Sequence, residues 1–316
     1  MNLISEGFSR VRLSARHYQP FVSLVMNTSD QGAAIVPVVR SVLALDYPSY
    51  EIIIIDQSQN RDTFLALFPF LDLPHFHYYR LPEQNVARQR NFAVRISRAT
   101  LVGIIDDKTV LAANWLSDSV AQLRANPQAA MLLVDEGPAG QPTVFYQTVS
   151  AFARTEATGK QLLMRRRAFY DIGGFDELVG EHAESWPAAV ADMAVRALLE
   201  GYEVNAVQLP GAAGNVACPE KPVSASWFEY GVMCAKPVKA GVFAGLPLTF
   251  QYLFVRALRT GKRPQRGQLA NIREFLRGFS SGMDLPLCAD SLRFQPPQTR
   301  GLDEQKDSLV LQSSNC

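Results

Sequence analysis

The chain has 316 residues, 47% of them hydrophobic and 19% charged, and a formal net charge of +1. That length buries a substantial core and suits one large domain with an appendage, while so even a charge excludes a nucleic-acid protein driven by bulk electrostatics. The four cysteines, Cys218, Cys234, Cys288 and Cys316, form no CxxC pair, which excludes the usual zinc and disulfide frameworks and predicts a reducing, cytoplasmic setting. Residues 1–20 are polar and mixed, with no basic stretch leading into an apolar core, and read as an N-terminal extension without a signal peptide.

Residues 21–26 form a strand candidate closed by Asn27, Thr28, Ser29 and Asp30, a cluster able to cap a helix. Over 35–45 apolar residues recur at helical spacing until Pro48 intervenes. A second buried strand over 51–55 holds four isoleucines in succession and is closed by Asp56. A strand over 77–81, a helix over 87–97 and a strand over 101–105 follow. Strands alternating with helices imply parallel pairing through right-handed crossovers, hence an α/β fold.

Beyond that point the spacing predicts a helix over 114–125, a strand over 131–134, turns over 136–142, a strand over 161–164 and a short helix over 166–172 ending at Gly173-Gly174. A helix over 188–200 stops at Gly201. Residues 240–255 are apolar but broken by Pro247 and Gln251, so a spanning helix is not expected. Between 256 and 277 seven arginines and lysines face only Glu274, a pattern that fits either peripheral contact with an anionic membrane or a solvated basic face. After Pro286 the chain turns polar and irregular, and 286–316 reads as a disordered tail.

The strand over 101–105 ends in Asp106-Asp107-Lys108. Its carboxyl end lies at the rim where open α/β sheets bind ligands. Paired carboxylates there suit a divalent metal that clamps a diphosphate, and a cation stands where a further acid is expected.

Four segments in order carry a resemblance: Val22 to Thr28; Tyr47 to Ser58; Ala87-Arg88-Gln89-Arg90-Asn91 leading to Asp106-Asp107; and Gly173-Gly174-Phe175-Asp176-Glu177 leading to Arg196 and Gly201-Tyr202. Together they resemble a family 2 glycosyltransferase of the GT-A fold, an inverting enzyme dependent on a nucleotide sugar. The resemblance implies a mostly parallel, Rossmann-like sheet flanked by helices over 21–220; the C-terminal amphipathic helical, basic region that follows over 221–285 either meets a membrane or presents a solvated face.

It also implies roles. Asp56 would contact the nucleotide base, or cap the next turn. Thr28 and Asp30 would face the same crevice, or cap the following helix. Arg90 offers a bidentate fork to the donor diphosphate, or a solvated helix face. Asp106 would meet the donor ribose or sugar, and Mn2+ or Mg2+ would sit beside it. Lys108 occupies the usual metal-ligand position, so either Asp107 becomes the metal ligand, or Lys108 neutralises the diphosphate, or catalysis is lost. Asp176 and Glu177 would belong to an acceptor-side element, with Glu177 mainly structural, and Trp186 would stack on an acceptor sugar or pack. The family's base position falls on Ala189-Val190, which cannot take a proton, leaving Asp192, Glu184, Glu181 or His182 as substitutes. Lys236 to Lys239 would meet phosphate or solvent.

The expected activity is sugar transfer from a nucleotide-diphosphate sugar to a glycan, lipid-linked or other hydroxyl acceptor, in polysaccharide or glycoconjugate biosynthesis. The rival is a catalytically inactive scaffold of the same fold. A nicotinamide dehydrogenase is disfavoured, since no GxGxxG follows the first strand.

Overall fold

A computed structural model describes residues 19–81, 85–138, 141–153, 160–179, 186–210, 224–241, 266–288 and 292–294. Strands apolar on both faces must be covered on both, and β1 (Val22–Thr28) and β2 (Tyr50–Asp56) are so covered. Ile52 to Ile55 are each 2% exposed or less, and such burial contributes roughly 1.5–3 kcal/mol per side chain. The remaining strands are β3 (Phe76–Arg80), β4 (Leu101–Ile105), β5 (Ala129–Glu136), β6 (Val144–Tyr146), β7 (Gln161–Arg165) and β8 (Glu203–Leu209), and the eight form one sheet in the order β3-β2-β1-β4-β7-β5-β8-β6.

On one face lie α1 (Ile35–Leu43), α2 (Asp62–Leu67) and α4 (Trp115–Ala125). On the other lie α3 (Val86–Ile96), α5 (Val149–Ala153), α6 (Arg166–Asp171) and α7 (Trp186–Leu199). Outside α7, α8 (Ser224–Lys239) packs against α9 (Arg266–Asp284). That contact is close because glycines form it. A Cβ on Gly278 would stand 1.9 Å from the Phe228 carbonyl oxygen, and one on Gly231 would stand 2.1 Å from that of Phe275.

The sheet is the expected mostly parallel, Rossmann-like one, with β1 parallel to β2 and β4, β2 to β3, and β5 to β8. Pairing is not parallel throughout, however: β7 runs antiparallel between β4 and β5, and β6 antiparallel to β8. Periodicity does not predict α2, β6, α5 or β8. The first three are only six, three and five residues long, and β8 buries the polar Asn205 in mid-strand.

The expectation of disorder from residue 286 is corrected at its start. Leu287 and Phe294 form an antiparallel bridge, the Cys288 N–H donates to the Arg293 carbonyl at 2.7 Å, and Phe294 is 3% exposed. One aromatic side chain with an apolar slot outweighs the polar composition around it. Of the 240–255 stretch, residues 242–255 lie outside the described residues, and no described helix is long and apolar enough to cross a membrane.

Candidate functional site

The parallel register Val22↔Leu101 to Met26↔Ile105, together with Thr28↔Asp56, brings the carboxyl ends of β1, β2 and β4 to one rim. Thr28, Asp56, Asp106 and Asp107 therefore meet there, and α3 adds Arg90 from the covering face. Asn85 caps α3, its side chain accepting from the Arg88 N–H at 2.9 Å, which fixes where Arg90 emerges.

Asp106 closes its own loop. Its Oδ1 accepts from the Lys108 N–H and its Oδ2 from the Thr109 hydroxyl, each at 3.1 Å. Burial and then the Asp106 charge raise the Asp107 carboxyl to about 7, against the opposing pull of the Thr28 hydroxyl and the Lys108 ammonium. Arg90 is 8% exposed; burial lowers its guanidinium to about 9 against the pull of Asp106 and Asp107, and it stays charged at neutral pH. It lies over the Trp186 ring at 4.3 Å and the Phe175 ring at 5.7 Å, while its buried Nε and Nη1 have no hydrogen-bond partner.

Asp56 is fully buried and already occupied. Its Oδ1 accepts from the Ser58 N–H at 2.8 Å and from the Ser58 hydroxyl, and its Oδ2 from the Tyr78 hydroxyl at 2.6 Å. That is the turn-capping alternative, realised. Asp30 lies on the adjacent loop with a left-handed φ of 51°, its Oδ1 accepting from the Gln59 N–H at 3.1 Å.

On the other side Asn91 clamps the Phe175 backbone, donating to its carbonyl at 3.0 Å and accepting from its N–H at 2.9 Å. Gly174, with φ 77°, makes this possible, since a Cβ there would stand 2.9 Å from the Asn91 Oδ1. Glu177 pairs with the Arg88 Nε at 3.1 Å and accepts from the Asn91 amide at 3.3 Å, a structural role.

Three expectations change. Asp192, named as a substitute base, is 1% exposed and bound on both oxygens, its Oδ2 by the Arg196 Nη2 at 2.7 Å and its Oδ1 by the Lys236 Nζ at 2.5 Å. Asp176, expected on the acceptor side, pairs with the same Lys236 at 2.7 Å and accepts from the Phe294 N–H at 2.8 Å. Lys236 is therefore a buried structural cation and not a phosphate or solvent contact, and the Lys239 Nζ donates to the Met283 and Leu285 carbonyls. The physical reason is common to all three: α7 is covered by α8, so charges on the facing sides must pair. Ala189 and Val190 are 2% and 1% exposed and present no base. Glu181, His182 and Glu184 lie outside the described residues.

Hard divalent cations take about six oxygen ligands. Here the donor set is one carboxylate turned into its own loop, a second that burial and a like charge favour protonating, an ammonium and a guanidinium. Among the described residues no cluster of three or more His, Cys, Asp or Glu could hold a metal. By this donor set the residues present do not fit a resident divalent cation.

A search of curated protein sequences gives no match. Among solved structures, a mannosyltransferase from Pyrobaculum calidifontis, in complex with GDP-mannose and Mn2+, is similar at 16% identity and a TM-score of 0.57, covering 84% of this chain and 88% of that one. The S. aureus protein TarS (residues 1–349) is similar at 16% identity and a TM-score of 0.54, covering 84% and 82%. The same protein with UDP-GlcNAc gives 13% and 0.52, covering 86% and 84%. These show the GT-A fold. The sequence profile described as Glycosyl transferase family 2 matches residues 23–175, a span that contains β1 to β4, Arg90 and the Asp106-Asp107-Lys108 turn. Residues 23–175 therefore match a glycosyl transferase family 2 domain, within a chain of GT-A fold.

Proposed function

We propose that this protein transfers a sugar from a nucleotide-diphosphate sugar to a hydroxyl acceptor, with inversion, in polysaccharide or glycoconjugate biosynthesis. The carrying observation is the meeting of Thr28, Asp106, Asp107 and Lys108 at one rim with the unpartnered N–H groups of Arg90. Structures of similar fold bind GDP-mannose and UDP-GlcNAc. In this reading the acceptor hydroxyl attacks the anomeric carbon in line, while the nucleoside diphosphate leaves against Arg90 and Lys108. Trp186, whose ring already lies over Arg90, borders the acceptor side. With Asp192 spent, Glu184 is the first candidate for the base, with Glu181 and His182 beside it in sequence. The acceptor is a glycan or a lipid-linked glycan. The basic 221–285 region holds the enzyme at an anionic membrane surface; α9 leaves Leu276 53% exposed and carries Arg273 and Arg277.

The apolar, buried Ala189-Val190 favours a second reading, a scaffold that binds nucleotide without turnover. The test is donor turnover with GDP-mannose and UDP-GlcNAc across lipid and sugar acceptors. Transfer that falls roughly 100-fold or more in Glu184→Gln supports the assignment, and full activity in that variant removes it. Nucleotide binding with no turnover on any acceptor selects the scaffold. Protein that stays in the supernatant with anionic vesicles refutes the membrane contact.

A further inference from the structure

We propose that this site takes its nucleoside diphosphate without a divalent cation, the diphosphate charge being met by the Arg90 guanidinium and the Lys108 ammonium. The inference rests on the nucleotide-sugar reading above. A buried guanidinium that leaves Nε and Nη1 unpartnered carries the desolvation cost of those groups, and an anion arriving at the rim removes it. Arg90 has little freedom to look elsewhere, because the Trp186 and Phe175 rings hold its planar face and Asn91 holds the Phe175 backbone. Its fork suits two phosphate oxygens at once.

Lys108 completes the pair from the turn that follows β4. Its backbone N–H is fixed to Asp106, its side chain makes no ion pair with a described residue, and its ammonium lies near enough to act on Asp107. Both Asp106 oxygens already serve the 106–109 turn, so ligating a metal would compete with the contacts that hold Lys108 in position. A cation placed among these groups would also face two fixed positive charges.

The test is isothermal titration calorimetry of the full chain with GDP, UDP, ADP and dTDP, in EDTA and in Mn2+. Binding of at least one diphosphate is expected to differ by less than about threefold between the two conditions. Lys108→Ala is expected to weaken that binding in EDTA roughly 10- to 100-fold, the range for losing one charge-assisted contact, with an unchanged circular dichroism spectrum. Lys108→Asp supplies the missing third carboxylate and is expected to bind weakly in EDTA and more tightly in Mn2+. Wild-type binding that requires Mn2+, or a Lys108→Ala variant that binds in EDTA as tightly as wild type, overturns the metal-free assignment and leaves the nucleotide reading standing. No diphosphate binding under either condition overturns both.

Discussion

Replacing Lys236 by Met tests whether the contact between α7 and α8 depends on charge. The Lys236 Nζ lies 2.7 Å from Asp176 and 2.5 Å from Asp192, and its side chain is 2% exposed. Asp192 keeps Arg196 in the variant, but Asp176 keeps only the N–H groups of Leu178 and Phe294. Breaking a buried pair on one side costs about 3–5 kcal/mol; with Asp192 still paired, about 3 kcal/mol at pH 7 is expected. For Asp176, burial alone raises the pKa, and the Lys236 ammonium, the Phe294 N–H and Arg196 more than offset it, so the carboxyl lies below its ordinary value. Its contribution is thus fully present above the unfolded pKa of ~4 and is lost only as pH falls through the lower folded value. Without Lys236 burial is largely unopposed and the folded pKa rises above the unfolded one, so protonation relieves the penalty as pH falls. The gap between wild type and Lys236→Met, read from urea midpoints by circular dichroism, should narrow from pH 7 to about pH 5. Adding Asp176→Asn should recover part of the loss. A gap below about 1 kcal/mol at pH 7, or one constant across that range, would refute this account.

The glycine contact predicts that Gly231→Ala destabilises the α8–α9 pair by about 2–3 kcal/mol, since the new methyl meets the Phe275 carbonyl oxygen; limited proteolysis should cut α9 faster, and unchanged resistance would contradict the packing. Asn91→Ala removes both bonds to the Phe175 backbone and should cost about 2–3 kcal/mol in urea unfolding. It should also shift the emission of Trp186, which packs on Phe175; an unaltered spectrum would mean the clamp does not position that ring.

Much of the sheet was legible because β1, β2 and β4 are nearly continuous apolar runs whose ends are marked by polar residues. Where burial does not follow periodicity the sequence was silent, as in β8 with Asn205 at its centre. Asp106, Asp107, Lys108 and Arg90 were legible as a group because the parallel register follows from strand order. The Asp176–Lys236–Asp192 set was not, since its members are 60 and 44 positions apart and no local rule joins them. One signal was there: Lys236 falls three residues after Met233 and four after Val232, on the apolar face of α8.

Around β7 the span matched by the family profile and the folding unit part company. Residues 23–175 contain both neighbours of β7 but not β8, the parallel partner of β5, nor α7, which covers the sheet at Ala188 to Leu198. A fragment cut at residue 175 would bare the hydrogen-bonding edge of β5 and an apolar sheet face, an invitation to pair with other copies. The span that the family profile matches is therefore shorter than what can stand in water, and expression of the domain needs the chain to run through at least α7 and β8.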